Sequence, residues 1–122
     1  MTKECAELIA RCLAARTQTH LMHLQTRNYA AHMALGEFYE SIGGVVDTYA
    51  ECYQSHYGII TDYPVVRPVI DNVEPAALLN TLRGWIADNR AACAEDEPEL
   101  ANLVDEILST IDQTIYKLRF LK

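Results

Sequence analysis

Residues 29–57, YAAHMALGEFYESIGGVVDTYAECYQSHY, read as one long helix with two faces of opposite character. Leu35, Phe38, Ile42, Val45, Val46, Tyr49 and Tyr53 recur at three- and four-residue intervals, the spacing of one buried helical face. On nearly the opposite side lie His32, Gly36, Glu40, Gly43, Asp47, Glu51 and Gln54. A solvent-facing stripe has no use for glycine in mid-helix, where each costs up to about 1 kcal/mol against alanine. Glycine on a helix face admits close approach by another backbone. The stripe is therefore expected to meet a second chain.

Working outward, residues 3–24 predict a preceding helix with Cys5, Leu8, Ile9, Cys12 and Leu13 on one face, which turns polar at Arg16, His20 and His23. Gln25-Thr-Arg-Asn28 reads as a short turn with Asn28 as N-cap, and Gly58 ends the long helix. Pro64, Pro68 and Pro75 make the following stretch too proline-rich for a continuous helix. A third helix begins near Pro75 and directs Leu78, Leu79, Leu82 and Ile86 to the core. A fourth begins near Pro98, behind Glu95-Asp96-Glu97, and carries Leu100, Val104, Ile107, Ile111, Leu118 and Leu121. A hairpin, a long connection and a second hairpin predict an all-α fold: a ferritin-like four-helix bundle with a long crossover between helices 2 and 3, as a single domain over residues 1–122.

Composition narrows the function classes. The chain has 122 residues, half of them apolar, which suffices for a core without disulfides. Cys5, Cys12, Cys52 and Cys93 form no C-x-x-C pair and read as small buried hydrophobes in a reducing compartment. A net charge of −7, with no basic tail or arginine stripe, argues against a phosphate backbone as partner. Met1-Thr-Lys-Glu4 leads directly into the amphipathic pattern, with no targeting signal and no membrane-length apolar run, so a cytoplasmic location is expected.

The candidate ligands are His20, His32, Asp47 and Glu51. Asp47 and Glu51 stand one helical turn apart, so their carboxylates can converge on one cation. An antiparallel hairpin about residues 25–28 brings His20 and His32 to the same level. His32 and Asp47, however, are fifteen residues apart on one helix, roughly 22 Å of rise, and cannot share an ion within one chain. Two copies packed antiparallel about residue 40 set His32 of one against Asp47 and Glu51 of the other, and Gly36 against Gly43 or Gly44. The prediction is a homo-oligomer with inter-subunit sites. Two histidines and two carboxylates suit iron, manganese or zinc.

The run from His20 through His32, Gly36-Glu-Phe-Tyr39 and Asp47-Thr-Tyr-Ala-Glu51 resembles the DNA-protection-during-starvation (Dps) family of mini-ferritins. That family's signature places a second histidine twelve residues after the first, an aspartate fifteen further and a glutamate four beyond, as His20, His32, Asp47 and Glu51 stand here. The chain also resembles small Dps-like proteins encoded by bacteriophages, through His32–Tyr39 and Tyr116–Leu121. The resemblance implies ferroxidase chemistry: ferrous iron held between subunits and oxidised by peroxide or dioxygen. Leu21 replaces a tryptophan common in the family, and Gly36 stands where a further acidic ligand is common.

Blander roles compete with these. His23 and His56 fit favourable contacts at helix C-termini. Asp105, Glu106 and Asp112 fit an exposed face, and Trp85 has no readable role. The alternative function is a non-catalytic ferritin-like scaffold that binds a protein partner and has degenerate metal positions.

Overall fold

The structure, a computed structural model, describes residues 3–122; Met1 and Thr2 of the N-terminal reading lie outside them. Among the described residues the elements are all helical: α1 (Lys3–Gln25), α2 (Tyr29–Tyr57), α3 (Pro75–Asp88), α4 (Arg90–Ala94) and α5 (Pro98–Phe120). Local chemistry sets the ends. Asn28 Oδ1 accepts from the Ala31 amide at 2.9 Å and starts α2. Gly58, at φ 92°, stops it, its amide donating to the Gln54 carbonyl at 2.8 Å. The Glu74 carboxylate accepts from the amides of Ala76 and Ala77 at 3.2 and 2.9 Å, just ahead of Pro75 in the first turn of α3. The one-turn α4 was not foreseen. It occupies the corner between α3 and α5 and ends where Glu95 and Asp96 take left-handed conformations.

Side-chain pairs give the helix directions. Arg16 Nε donates to the Tyr39 carbonyl at 3.2 Å while His23 meets His32, so α1 and α2 are antiparallel. Lys117 pairs with Glu37 and His56 with Glu99, which makes α2 and α5 antiparallel. Arg83 and Arg90 reach Asp112 and Asp105 at 2.6 and 2.7 Å, so α5 also runs against α3 and α4. Helices α2 and α3 therefore point the same way, and residues 58–74 have to travel back between them. They do so along α1: Asp62, Tyr63 and Pro64 share a cleft with Lys3, Ala6 and Glu7, and Gln18 Nε2 donates to the Val69 carbonyl at 2.6 Å.

One buried cluster draws on all five helices and on Ile60 of the connecting segment. The expected core face of α2 is buried apart from Val45, which packs partly exposed against it. Leu13 and Leu121 differ from expectation, at 42% and 48% exposed. Leu13 lies one residue off the Cys5–Leu8–Cys12 line, and Leu121 falls beyond the end of α5. Trp85 has a contact after all: the Arg11 guanidinium stacks over its ring at 4.8 Å. No helix among the described residues is long and apolar enough to cross a membrane.

Cys5, Cys12 and Cys93 are buried and Cys52 half-buried, and no disulfide links the described residues. Burial pushes the Cys12 and Cys93 thiols up to about 12, which keeps them neutral. The Tyr49 hydroxyl, likewise raised by burial, donates to the Cys93 carbonyl at 2.8 Å and ties α2 to the α4 corner. Tyr49→Phe leaves that carbonyl without its donor inside the core. It should lower unfolding free energy in urea by about 1–2 kcal/mol with an unchanged m-value.

Candidate functional site

The hairpin end of α1 and α2 gathers three of the four histidines. His23 and His32 stack with ring centroids 3.7 Å apart and planes 18° from parallel. Nδ1 of His23 lies 2.7 Å from the His32 carbonyl, and Nδ1 of His32 lies 2.8 Å from the His23 carbonyl. A carbonyl only accepts, so both Nδ1 atoms carry the hydrogen, and in the neutral ring it is Nε2 that holds the lone pair. This is the arrangement that orients a histidine ligand toward a metal. His32 also serves the fold, because the His23 carbonyl sits in the last turn of α1, where backbone acceptors lack helical donors.

Glycine makes the stack possible. A Cβ on Gly36 would lie 3.0 Å from His23 Cε1, and one on Gly43 would lie 3.3 Å from Arg16 Nε. The space beside both glycines, expected to receive a second chain, is filled by α1 of the same chain. Gly44 differs: beyond its own helix backbone, nothing among the described residues lies within 4 Å of its Cβ position, and it is exposed on α2 between Glu40 and Asp47.

His20 is exposed and stacks on Tyr39, centroids 4.0 Å apart and planes at 15°. His23, read from sequence as a helix-end residue, stands between the two expected ligands instead, 6.4 Å from the His20 ring and directly against His32. The spacing that would have found it is nine residues across the turn, the same antiparallel register that pairs Arg16 with Tyr39 and Gly43. Asp47 and Glu51 are exposed, one turn apart, and take no part in an ion pair among the described residues. Within one chain His20, His32, Asp47 and Glu51 do not converge: the histidines sit at the hairpin end and the carboxylates some 22 Å along α2.

A different set does converge. Cys52 and His56, one turn apart near the C-terminus of α2, meet Glu99 in the first turn of α5, with one ligand atom from each within 4.8 Å of the others. His56 Nε2 contacts a Glu99 carboxylate oxygen directly. Burial, followed by the charges of Glu99 and Glu97, raises the Cys52 thiol above its ordinary value. Nearby, the Tyr53 hydroxyl donates to Glu95 at 2.9 Å, and burial followed by the charges of Glu97 and Glu95 raises the Tyr57 hydroxyl above its ordinary value.

Residues 23–118 match a family described as a family of unknown function, DUF5856, and with most of its length matched the chain belongs to that family. Comparison with curated proteins and with solved structures gave no match.

The two covered glycines should respond differently to alanine. At Gly43 the obstruction is the end of a flexible arginine, so Gly43→Ala should raise stability by about 0.5–1 kcal/mol through helix propensity. At Gly36 the obstruction is a locked ring, so Gly36→Ala should show no such gain and should shift the His23 and His32 imidazole NMR signals. Equal gains with unmoved imidazole signals would contradict the stack.

Proposed function

We propose that this DUF5856 member is a Dps-like, iron-binding protein in which two copies of the chain complete each metal site. In this reading the helices form a ferritin-like four-helix bundle: α1, α2, α3 and α5 are the long members, and residues 58–74 are the crossover between helices 2 and 3. The antiparallel pairings of α1 with α2 and of α3 with α5 support it, as does the path of the connecting segment along α1.

The observation that carries the proposal is the condition of the ligands themselves. His32 has its ring fixed through Nδ1 with Nε2 left over, while Asp47 and Glu51 stand exposed without cationic partners among the described residues. The imidazole half has its ring fixed, the carboxylate half is accessible, and the roughly 22 Å between them rules out closure within one helix. A second copy supplies the missing half. Two surface features fit such a contact. Leu13, Leu21 and Leu24 are exposed along the face of α1 that bears His20. Gly44 leaves the outer face of α2 open to close approach beside Asp47. A two-fold contact uses both faces twice.

His20 and His32 of one chain, with Asp47 and Glu51 of the other, then take ferrous iron as substrate. Each ion gives one electron to dioxygen or peroxide and is sequestered as ferric iron; manganese or zinc suits the same donors. His23 stands over Gly36, so its Nε2 occupies the neighbourhood from which an acidic side chain at 36 would reach. That replacement also favours a second reading: a non-catalytic scaffold binding a protein partner, with degenerate metal positions.

Native mass spectrometry of the metal-free protein titrated anaerobically with ferrous iron separates the two. The iron-binding reading expects stoichiometric iron on a dimer or larger species, lost in Asp47→Ala and in His32→Ala. An assembly that takes up no iron supports the scaffold. Gly44→Leu, which puts a bulky side chain on the open face, should lower the oligomer mass; an unchanged mass contradicts the α2 contact.

A further inference from the structure

The far end of α2 carries a second set of metal donors that the reading above does not use. We infer that Cys52, His56 and Glu99 form a transition-metal site of the zinc class, built within one chain and independent of any partner. Three donor types meet here, a thiol, an imidazole and a carboxylate, and their ligand atoms already lie within 4.8 Å of one another. Around a tetrahedral ion with bonds of about 2.0–2.3 Å, neighbouring donors stand roughly 3.3–3.8 Å apart. Closure therefore asks for the widest pair to draw in by about 1 Å and for the His56–Glu99 contact to open around the ion.

The framework is rigid where it needs to be. Cys52 and His56 are fixed one turn apart on α2, and Glu99 is held opposite them by the α2–α5 packing that buries Tyr49, Tyr53 and Leu100. Cys52 is half-buried while His56 and Glu99 are exposed, so an ion has an open approach. Three protein ligands leave a fourth position for water, the pattern of an open zinc site, and the thiolate favours zinc or cobalt over magnesium or calcium. Glu95, Asp96 and Glu97 lie just before α5 and add negative charge around the entry. An exposed His56–Glu99 ion pair alone would not call for a sulfur atom at the same point. On binding, the thiol proton of Cys52 passes to solvent and sulfur donates its pair to the metal, with no change of oxidation state.

Cobalt(II) reports this geometry directly. Metal-free, reduced protein titrated anaerobically should take one cobalt per chain, with visible bands of tetrahedral cobalt and a near-ultraviolet sulfur-to-cobalt charge-transfer band, and zinc should bleach both. Cys52→Ser should abolish the charge-transfer band. Glu99→Gln and His56→Ala should weaken zinc binding by more than about tenfold, the least that loss of even an outer-shell partner costs. The Asp47→Ala, His32→Ala double variant should leave the signal intact, which keeps this site distinct from the iron-binding proposal. Circular dichroism checks that each variant is folded; Glu99→Gln alters only an exposed side chain. No charge-transfer band in the native protein, or one that survives Cys52→Ser, overturns the inference.

Discussion

The α1–α2 hairpin is closed by a mutual exchange in which each of two histidines gives a ring N–H to the other's backbone carbonyl. Only three residues, 26–28, separate the helices, so their register has almost no freedom once Asn28 caps α2 and His23 meets His32. That register lays Arg16 and His23 across Gly43 and Gly36 and sets His20 on Tyr39. It also turns the other face of α2, from Phe38 to Tyr53, toward α5 and the core. The arrangement of chemical groups on the surface follows from this closure.

The same register separates the groups it orients. Nine residues from His23 to His32 span the turn and bring their rings together, whereas fifteen residues from His32 to Asp47 run straight along one helix and hold the two apart. Imidazoles gather at one end of α2, exposed carboxylates stand along its middle, and a thiol, an imidazole and a carboxylate converge at its other end. The long helix thus presents imidazole, carboxylate and thiol groups in three places, and only at its C-terminal end do side chains of three donor types come together within one chain among the described residues.

Much of the fold was legible because its boundaries are local. Asn28 acts through its side chain on the amide three residues on, Gly58, Pro75 and Pro98 act through their own backbone, and the buried stripe of α2 follows from period alone. What depended on tertiary pairing was not legible. The glycines of α2 announced close approach but not by whom, and α1 of the same chain proved to be the neighbour at two of the three. His23 and His56 looked like helix-end residues because their partners, His32 across a turn and Glu99 on α5, are defined only by packing. Cys52 and His56 were visible as an i, i+4 pair, yet without the pairing of α2 with α5 nothing tied them to Glu99. Asp105 and Asp112 read as bare surface, although Arg90 and Arg83 cover them. Such exposed pairs contribute at most about 1 kcal/mol each and leave no sequence pattern.

Complementation between two inactive chains tests the central claim, that histidines of one copy and carboxylates of another make one iron site. His32→Ala and Asp47→Ala, each expected to take up no iron alone, would be unfolded, mixed in equal amounts and refolded together. If each site spans two chains, a mixed dimer regains one intact site of its two, and random pairing restores about a quarter of the native iron capacity. No recovery in a mixture shown by mass to contain the mixed dimer would contradict the account.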